Sequence, residues 1–181
     1  MVNFVGAGPG GEDLITLRGA RLLGEADCII YAGSLVNPAL LKMAKEGCEI
    51  YDSAKMTLEE VIDVIKRVEM QGRMTVRLHT GDPCLYGAIR EQMDLLDELQ
   101  ISYEYIPGVS SFCGAAAAIN AEYTLPDVTQ TVIITRMEGR TPVPEKEKMH
   151  LLAQAGATMV IFLSSSLLDK VQEELLKGAY N

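Results

Sequence analysis

The residues of this chain whose types and spacing could do chemistry fall in three short polar segments: Leu78-His-Thr-Gly-Asp-Pro83, Ile106-Pro-Gly-Val-Ser-Ser111 and Thr135-Arg-Met-Glu-Gly-Arg-Thr-Pro-Val-Pro144. Each follows a strand-like apolar run and is broken by glycine or proline. In an open α/β protein such segments lie at the carboxyl ends of strands, where small molecules bind. Gly81 leaves room for a ligand to approach backbone, and Asp82 is either a turn former or a polar anchor for that ligand. Ser110 and Ser111 open a helix and offer hydroxyls beside its unpaired amides. Arg136 and Arg140 lie on a loop stiffened by Pro142 and Pro144. Arginine pairs carboxylates bidentately, so this loop suits a carboxylate-rich substrate. His79 reads as a switchable acid–base group or, equally, as a structural histidine at a strand end. His150, in a helical stretch, is expected at the surface. No Ser–His–acid or Cys–His arrangement is legible, and no residue stands out as a general base. Together the three segments point to an enzyme acting on a small molecule.

The elements that must position these segments alternate along the chain, the pattern of a parallel α/β fold. Strands are expected at Val2–Val5, Cys28–Tyr31, Glu49–Tyr51, Met74–Leu78, Tyr103–Ile106, Thr131–Thr135 and Thr158–Leu163. Helices are expected at Thr16–Leu23, Pro38–Lys45, Leu58–Met70, Gly87–Leu99, Ser110–Ile119, Glu145–Ala153 and Leu167–Leu176. Thr57 and Glu60 form a capping box for the third of these, and Val61, Ile62, Ile65 and Val68 then share one face. The small-residue run Cys113–Ala118 permits close approach of a neighbouring element or of a ligand. The chain divides into a first α/β domain at 1–119, a linker at 120–130 and the start of a second α/β domain at 131–181. Two strands and two helices close a core poorly, so the second domain reads as incomplete.

Gly6-Ala-Gly-Pro-Gly-Gly11 matches a dinucleotide fingerprint at Gly6, Gly8 and Gly11. That reading demands a helix opening at once and an acidic residue after the second strand. Pro9 and Glu12–Ile15 delay the helix, and the second strand ends in Tyr31-Ala-Gly33, so a nicotinamide oxidoreductase is disfavoured. The net charge of −9 carries no basic block and argues against a nucleic-acid partner. Cys28, Cys48, Cys84 and Cys113 lack paired spacing, which points to buried reduced thiols rather than zinc. No leader and no apolar run near the roughly 20 residues of a membrane span is legible. A soluble cytoplasmic protein with no membrane partner is expected.

Gly6-Ala-Gly-Pro-Gly10 with Asp13-Leu-Ile-Thr16, His79-Thr-Gly-Asp-Pro83 and Pro107-Gly-Val-Ser110 resemble the tetrapyrrole methyltransferases that use S-adenosylmethionine. The likeness covers essentially the whole chain. Tyr31-Ala-Gly-Ser-Leu35, Leu125-Pro-Asp-Val-Thr-Gln-Thr131 and Thr135–Pro144 are the segments that narrow the substrate within the family. The resemblance implies a class III methyltransferase fold: two α/β domains, an active site in the cleft between them, and a homodimer. It implies that the methyl donor lies near Gly81, Asp82, Pro83, Leu85, Ser110, Ser111, Phe162 and Leu163 rather than on Gly6–Gly11. A tetrapyrrole would lie alongside, its carboxylates held by Arg136 and Arg140, with Pro9, Arg18 and Arg77 as further contacts. Family members continue past Asn181, so the competing expectation is a fragment that dimerises or binds pigment without turnover. Methylation at another ring position is the other alternative.

Overall fold

The computed structural model describes residues 1–180, the Ser34 side chain aside. It divides into two compact units, Met1–Ala117 and Ala118–Asn181.

The first unit is built on β1 (Val2–Gly6), β2 (Cys28–Tyr31), β3 (Glu49–Asp52), β4 (Thr75–His79) and β5 (Tyr103–Ile106). All pairings are parallel, in the order β3-β2-β4-β1-β5. Helices α1 (Leu17–Glu25), α2 (Leu58–Met70), α3 (Arg90–Glu98) and α4 (Ser111–Ala118) belong to this part of the chain. A parallel sheet covered on both faces needs apolar residues on both, and alternation along each strand supplies them. Val5, Ile29, Val76, Leu78 and Ile106 pack with Leu22 and Leu23 of α1 and with Val36 and Leu40. Val2, Phe4, Cys28 and Ile30 pack on the other face with Val61, Ile62, Ile65 and Val68 of α2 and Met93 and Leu96 of α3. Each such aliphatic side chain contributes about 1.5–3 kcal/mol by leaving water.

The strand order decides where the loops meet. β4 enters the sheet between β1 and β2, so the chain leaving β1 for β2 must pass β4. The chain leaving β4 for β5 must likewise pass β1. The two loops therefore converge over the carboxyl ends of the central pair.

Most expected elements are present, with three differences. Pro38–Lys45 is a 3-10 helix over Pro38–Met43, entered through Asn37, whose Oδ1 accepts from the Ala39 amide at 3.0 Å. The helix expected from Gly87 starts only at Arg90, because Tyr86 and Ala88 take left-handed backbone with φ of 57° and 48°. The helix expected over Glu145–Ala153 is broken. Extended backbone at Pro144 and Lys148 isolates a 3-10 turn (Glu145–Glu147) from the short α5 (Met149–Leu152), which a second 3-10 turn (Ala153–Ala155) follows.

The second unit pairs β6 (Val132–Arg136) with β7 (Thr158–Phe162) in parallel, with α5 and α6 (Leu168–Leu176). The 120–130 stretch read as a linker is bonded into it. The Thr158 hydroxyl donates to the Tyr123 carbonyl at 2.9 Å, and the Thr158 amide to Thr129 Oγ1 at 3.3 Å. Among the described residues no helix is long and apolar enough to cross a membrane, and no group of three His, Cys, Asp or Glu side chains could hold a metal. The thiols are not all buried as expected. Cys84 and Cys113 are exposed, whereas Cys28 lies in the core, where loss of hydration pushes its thiol up to about 12.

Candidate functional site

Three glycines make the junction at the carboxyl ends of β4, β1 and β5. A Cβ placed on Gly108 would come 2.2 Å from the Gly81 carbonyl oxygen and 2.8 Å from Gly6 Cα. Only glycine lets these backbones touch. The Gly81 amide donates to the Gly8 carbonyl at 3.0 Å and the Gly8 amide to the Gly81 carbonyl at 3.2 Å. The first glycine loop thus clasps the Gly81-Asp-Pro83 loop. Pro9 in turn rests where α4 has Gly114, whose Cβ would lie 2.5 Å from the proline ring. The small-residue run of α4 is spent, at least there, on close packing.

This junction brings two of the expected donor segments together. A Cβ on Gly81 would sit 3.4 Å from the Ser111 amide nitrogen and 3.5 Å from Ser110 Cα. Ser110 is buried, and its carbonyl accepts from the Cys113 and Gly114 amides to begin α4. Pro83 is buried and Leu85 half-buried, the Leu85 amide closing a turn on the Asp82 carbonyl at 3.2 Å.

Asp82 spans the two loops. Its Oδ1 accepts from the Tyr105 hydroxyl and from the Cys84 amide at 2.9 Å, and its Oδ2 accepts from the Gly108 amide at 3.0 Å. Partial burial works against the charge, but hydrogen bonds from Tyr105, Cys84 and Gly108 outweigh it and hold the carboxyl below its usual range. Burial, followed by the hydrogen bond to this carboxylate, raises the Tyr105 phenol. Neither Tyr105 nor its pairing with Asp82 could be read from spacing; Tyr105 looked like one more apolar residue of a strand.

His79 closes β4, 4% exposed, with its ring 6.1 Å from that of Phe4. Its Nε2 finds no hydrogen-bond partner among the described residues. Lost hydration, and then the Arg77 charge, lower its pKa to about 3. It is neutral at physiological pH.

Two expected pigment contacts, Arg77 and Arg18, have partners within the first unit. Arg77 is 4% exposed. Its Nη1 donates to the Ile30 carbonyl at 2.7 Å and its Nε to Gln92 Oε1 at 2.8 Å, so it is bound inside the sheet–helix layer. Arg18 is ion-paired with Glu104 at 2.5 Å. Glu104 is level with Asn3 in the lower half of β1.

In the second unit Arg136 ends β6 and turns back on its own loop. Its guanidinium donates to the carbonyls of Thr141 at 3.1 Å and Pro142 at 2.9 Å. It therefore fixes the loop, at whose tip Arg140 is exposed. Phe162 ends β7, and Leu163 follows with φ of 55° and 67% exposure. Ser164 is buried; its hydroxyl donates to the Phe162 carbonyl at 2.7 Å and accepts from the Met137 amide at 2.9 Å, joining the two strand ends. A cleft of about 460 Å³ opens beside the same loop, lined by Met137, Glu138, Val143, Lys148, His150 and Lys177 among others. Its basic side chains already have carboxylate partners, His150 with Glu174 at 2.8 Å, Lys177 with Glu174 at 2.6 Å and Lys148 with Glu145 at 2.8 Å. His150 is accordingly half-buried rather than free at the surface.

Converging strand-end loops and a clasped glycine turn are features of the small-molecule sites of open α/β folds. The sequence carries the family: the model of the tetrapyrrole (corrin/porphyrin) methylases matches residues 1–181, and the chain belongs to that family. It is 58% identical over 179 residues to a cobalt-precorrin-4 C(11)-methyltransferase of Methanocaldococcus jannaschii, a match covering 99% of this chain and 69% of that protein. The solved structure of the cobalamin biosynthetic enzyme cobalt precorrin-4 methyltransferase, CbiF, superposes with a TM-score of 0.96 at 49% identity, over 99% of this chain and 75% of that one. A uroporphyrin-III C-methyltransferase from Thermus thermophilus, complexed with S-adenosyl homocysteine, gives a TM-score of 0.79 at 25% identity, over 99% and 73%.

Proposed function

We propose that this chain transfers the methyl group of S-adenosylmethionine to C11 of precorrin-4 in cobalamin biosynthesis, with cobalt-precorrin-4 as the natural substrate. The 58% identity over 99% of the chain to a cobalt-precorrin-4 C(11)-methyltransferase carries this reading. CbiF, also a cobalt-precorrin-4 enzyme, favours the cobalt-bound pigment.

The residues present suit the donor. Gly81, with φ of 57°, lies against the Ser110–Ser111 backbone, which a Cβ would meet at 3.4–3.5 Å, so both loops present backbone at one place. The first turn of α4 faces that place with the positive end of a helix, which favours a carboxylate such as that of the donor's amino-acid portion. When bound, S-adenosylmethionine supplies an electrophilic methyl on a sulfonium and departs as a neutral thioether. The electron-rich pigment carbon supplies the attacking electron pair, so the protein needs no nucleophile of its own. Gly81–Leu85 and Ser110–Ser111 hold one reactant in line with the other, and such orientation lowers the barrier by removing motional freedom beforehand. Asp82 shapes both loops from behind. In the second unit the exposed Arg140 is the residue offered to pigment carboxylates, while Arg136 keeps its loop closed. Pro9, set against α4, borders the pigment from the glycine loop. The enzyme works in the cytoplasm as a homodimer, the arrangement that the family resemblance implies.

Two measurements test this. Calorimetry with S-adenosylhomocysteine should give saturable binding. Incubation with S-adenosylmethionine and cobalt-precorrin-4 should add one methyl by mass spectrometry, with the metal-free pigment as the slower substrate. Binding without methyl transfer overturns the enzymatic half of the reading. Equal rates on both pigments overturn the cobalt preference. Sedimentation that finds a monomer overturns the dimer.

A further inference from the structure

Arg77 lies in the middle of β4, the central strand, and among the described residues no carboxylate pairs with it. A charge buried without a counter-ion is costly, and a neutral side chain of similar length would fill the place more cheaply. The charge is instead spread over hydrogen bonds to the Ile30 carbonyl, to Gln92 Oε1 and, at 3.4 Å, to Ser53 Oγ. Burial lowers the Arg77 pKa only to about 10, so it remains a cation at neutral pH.

Gln92, on α3, is itself 6% exposed. It faces two ways: its Oε1 accepts from Arg77, while its Nε2 donates to the Ala88 carbonyl at 3.0 Å. Ala88 is one of two non-glycine residues in left-handed backbone here, Tyr86 being the other. Between them Gly87 has no room for a side chain, since a Cβ would lie 2.2 Å from the Pro83 carbonyl oxygen. A turn holding two side-chain-bearing residues in that region is strained, and strain of this kind persists only where its surroundings impose it. The turn continues directly from Gly81–Leu85.

We propose that the Arg77–Gln92 pair is a positioning device for methyl transfer. From inside the sheet it holds the strained Pro83–Ile89 turn, and through that turn the backbone of Gly81–Leu85, in the geometry that binds the methyl donor. The proposal rests on the reading that Gly81–Leu85 holds the donor. Neither residue touches donor or pigment; both act through the turn.

The test compares the wild-type chain with Gln92→Met, which keeps the volume and removes both hydrogen bonds, and with Ala88→Gly, which relieves the strain. The readouts are S-adenosylhomocysteine affinity by calorimetry well below each melting temperature, the melting temperature itself, and amide hydrogen exchange over 81–89 with and without the ligand. Gln92→Met should bind on the order of tenfold more weakly and exchange faster over the turn, as expected when a binding group loses its support. Ala88→Gly should keep or raise the melting temperature and yet bind more weakly, a divergence that a purely structural role does not produce. If Gln92→Met does not fold, Gln92→Glu decides, because its carboxylate still accepts from Arg77, now as an ion pair, and has no donor for the Ala88 carbonyl; it should bind more weakly too. Wild-type affinity in the folded Gln92 and Ala88 variants, with the 81–89 amides still protected by ligand in the wild type, overturns the proposal alone. Absence of that protection in the wild type overturns the location of the donor and the proposal with it.

Discussion

At the scale of single residues, function rests on atoms that keep loops in place more than on atoms that react. Gly108 is the sharpest case. Gly108→Ala would drive a methyl into the Gly81 carbonyl and Gly6 Cα, both backbone. Overpacking that only backbone movement can relieve costs typically about 1–3 kcal/mol. The variant should melt lower, and its folded fraction should bind S-adenosylhomocysteine poorly; normal binding by calorimetry would show that the junction can shift without harm. Arg140 makes the opposite prediction. It is exposed and has no hydrogen-bond or ion-pair partner among the described residues, so Arg140→Gln should leave the melting temperature unchanged. A hydrogen bond to a charged group contributes about 1.5–3 kcal/mol, so the KM for pigment should rise by roughly tenfold or more. Steady-state kinetics with unchanged KM would return Arg140 to ordinary solvated surface. Arg136→Gln should disturb the loop instead and lower turnover as well.

At the scale of elements, edge strand β3 depends on charge. Glu49 accepts from Arg67 at 2.5 Å, from Tyr51 at 2.8 Å and from Arg73 at 2.9 Å, tying the strand to α2 and to the approach to β4. The Arg67 hydrogen bond leads in lowering its carboxyl from 4.5 to about 2. A carboxyl depressed in the folded state stabilises above its unfolded pKa, and that stability is lost as pH falls toward the folded value. Urea midpoints should therefore drop between pH 4.5 and pH 2, and drop less in Glu49→Gln; parallel curves for the two proteins would refute this. Helix α2 offers a second test. Thr57 Oγ1 accepts from the Glu60 amide at 3.3 Å and Glu60 Oε2 from the Thr57 amide at 2.8 Å. Thr57→Ala should cost about 1 kcal/mol in denaturant unfolding. That box was legible in the sequence, as were both bounds of α2, because capping chemistry and apolar period agree there. The late start of α3 was not, since Tyr86 and Ala88 carry no mark of left-handed backbone. Arg77 was expected as a pigment contact. Alternation along Thr75-Val-Arg-Leu-His79 places it on the face opposite Val76 and Leu78. In a parallel sheet that face is buried too, here under α3. The meeting of the Gly81 and Ser110 loops was legible because strand-end position is a rule of topology, whereas the Tyr105–Asp82 bond depends on side-chain geometry that no spacing encodes.

At the scale of the whole molecule, the net charge of −9 sets the approach of a pigment that bears several carboxylates. Long-range repulsion slows encounter at low ionic strength, and salt shortens its reach from about 30 Å at 0.01 M to about 8 Å at 0.15 M. The kcat/KM for pigment should rise over that range, the reverse of an enzyme that steers its substrate by opposite charge. A falling kcat/KM would mean that a local basic field already dominates the entrance.

The insertion of β4 between β1 and β2 also governs how the chain is born. Val2 and Cys28 both pair with Thr75, and neither strand pairs with the other. During synthesis β1 has no hydrogen-bonded neighbour until the chain has been extended through His79. The nascent segment before it can join only β2 to β3. Assembly must wait for a late strand to wedge between two early ones, so the first unit should fold slowly for its size and be exposed to aggregation while the apolar β1 and β2 stand apart.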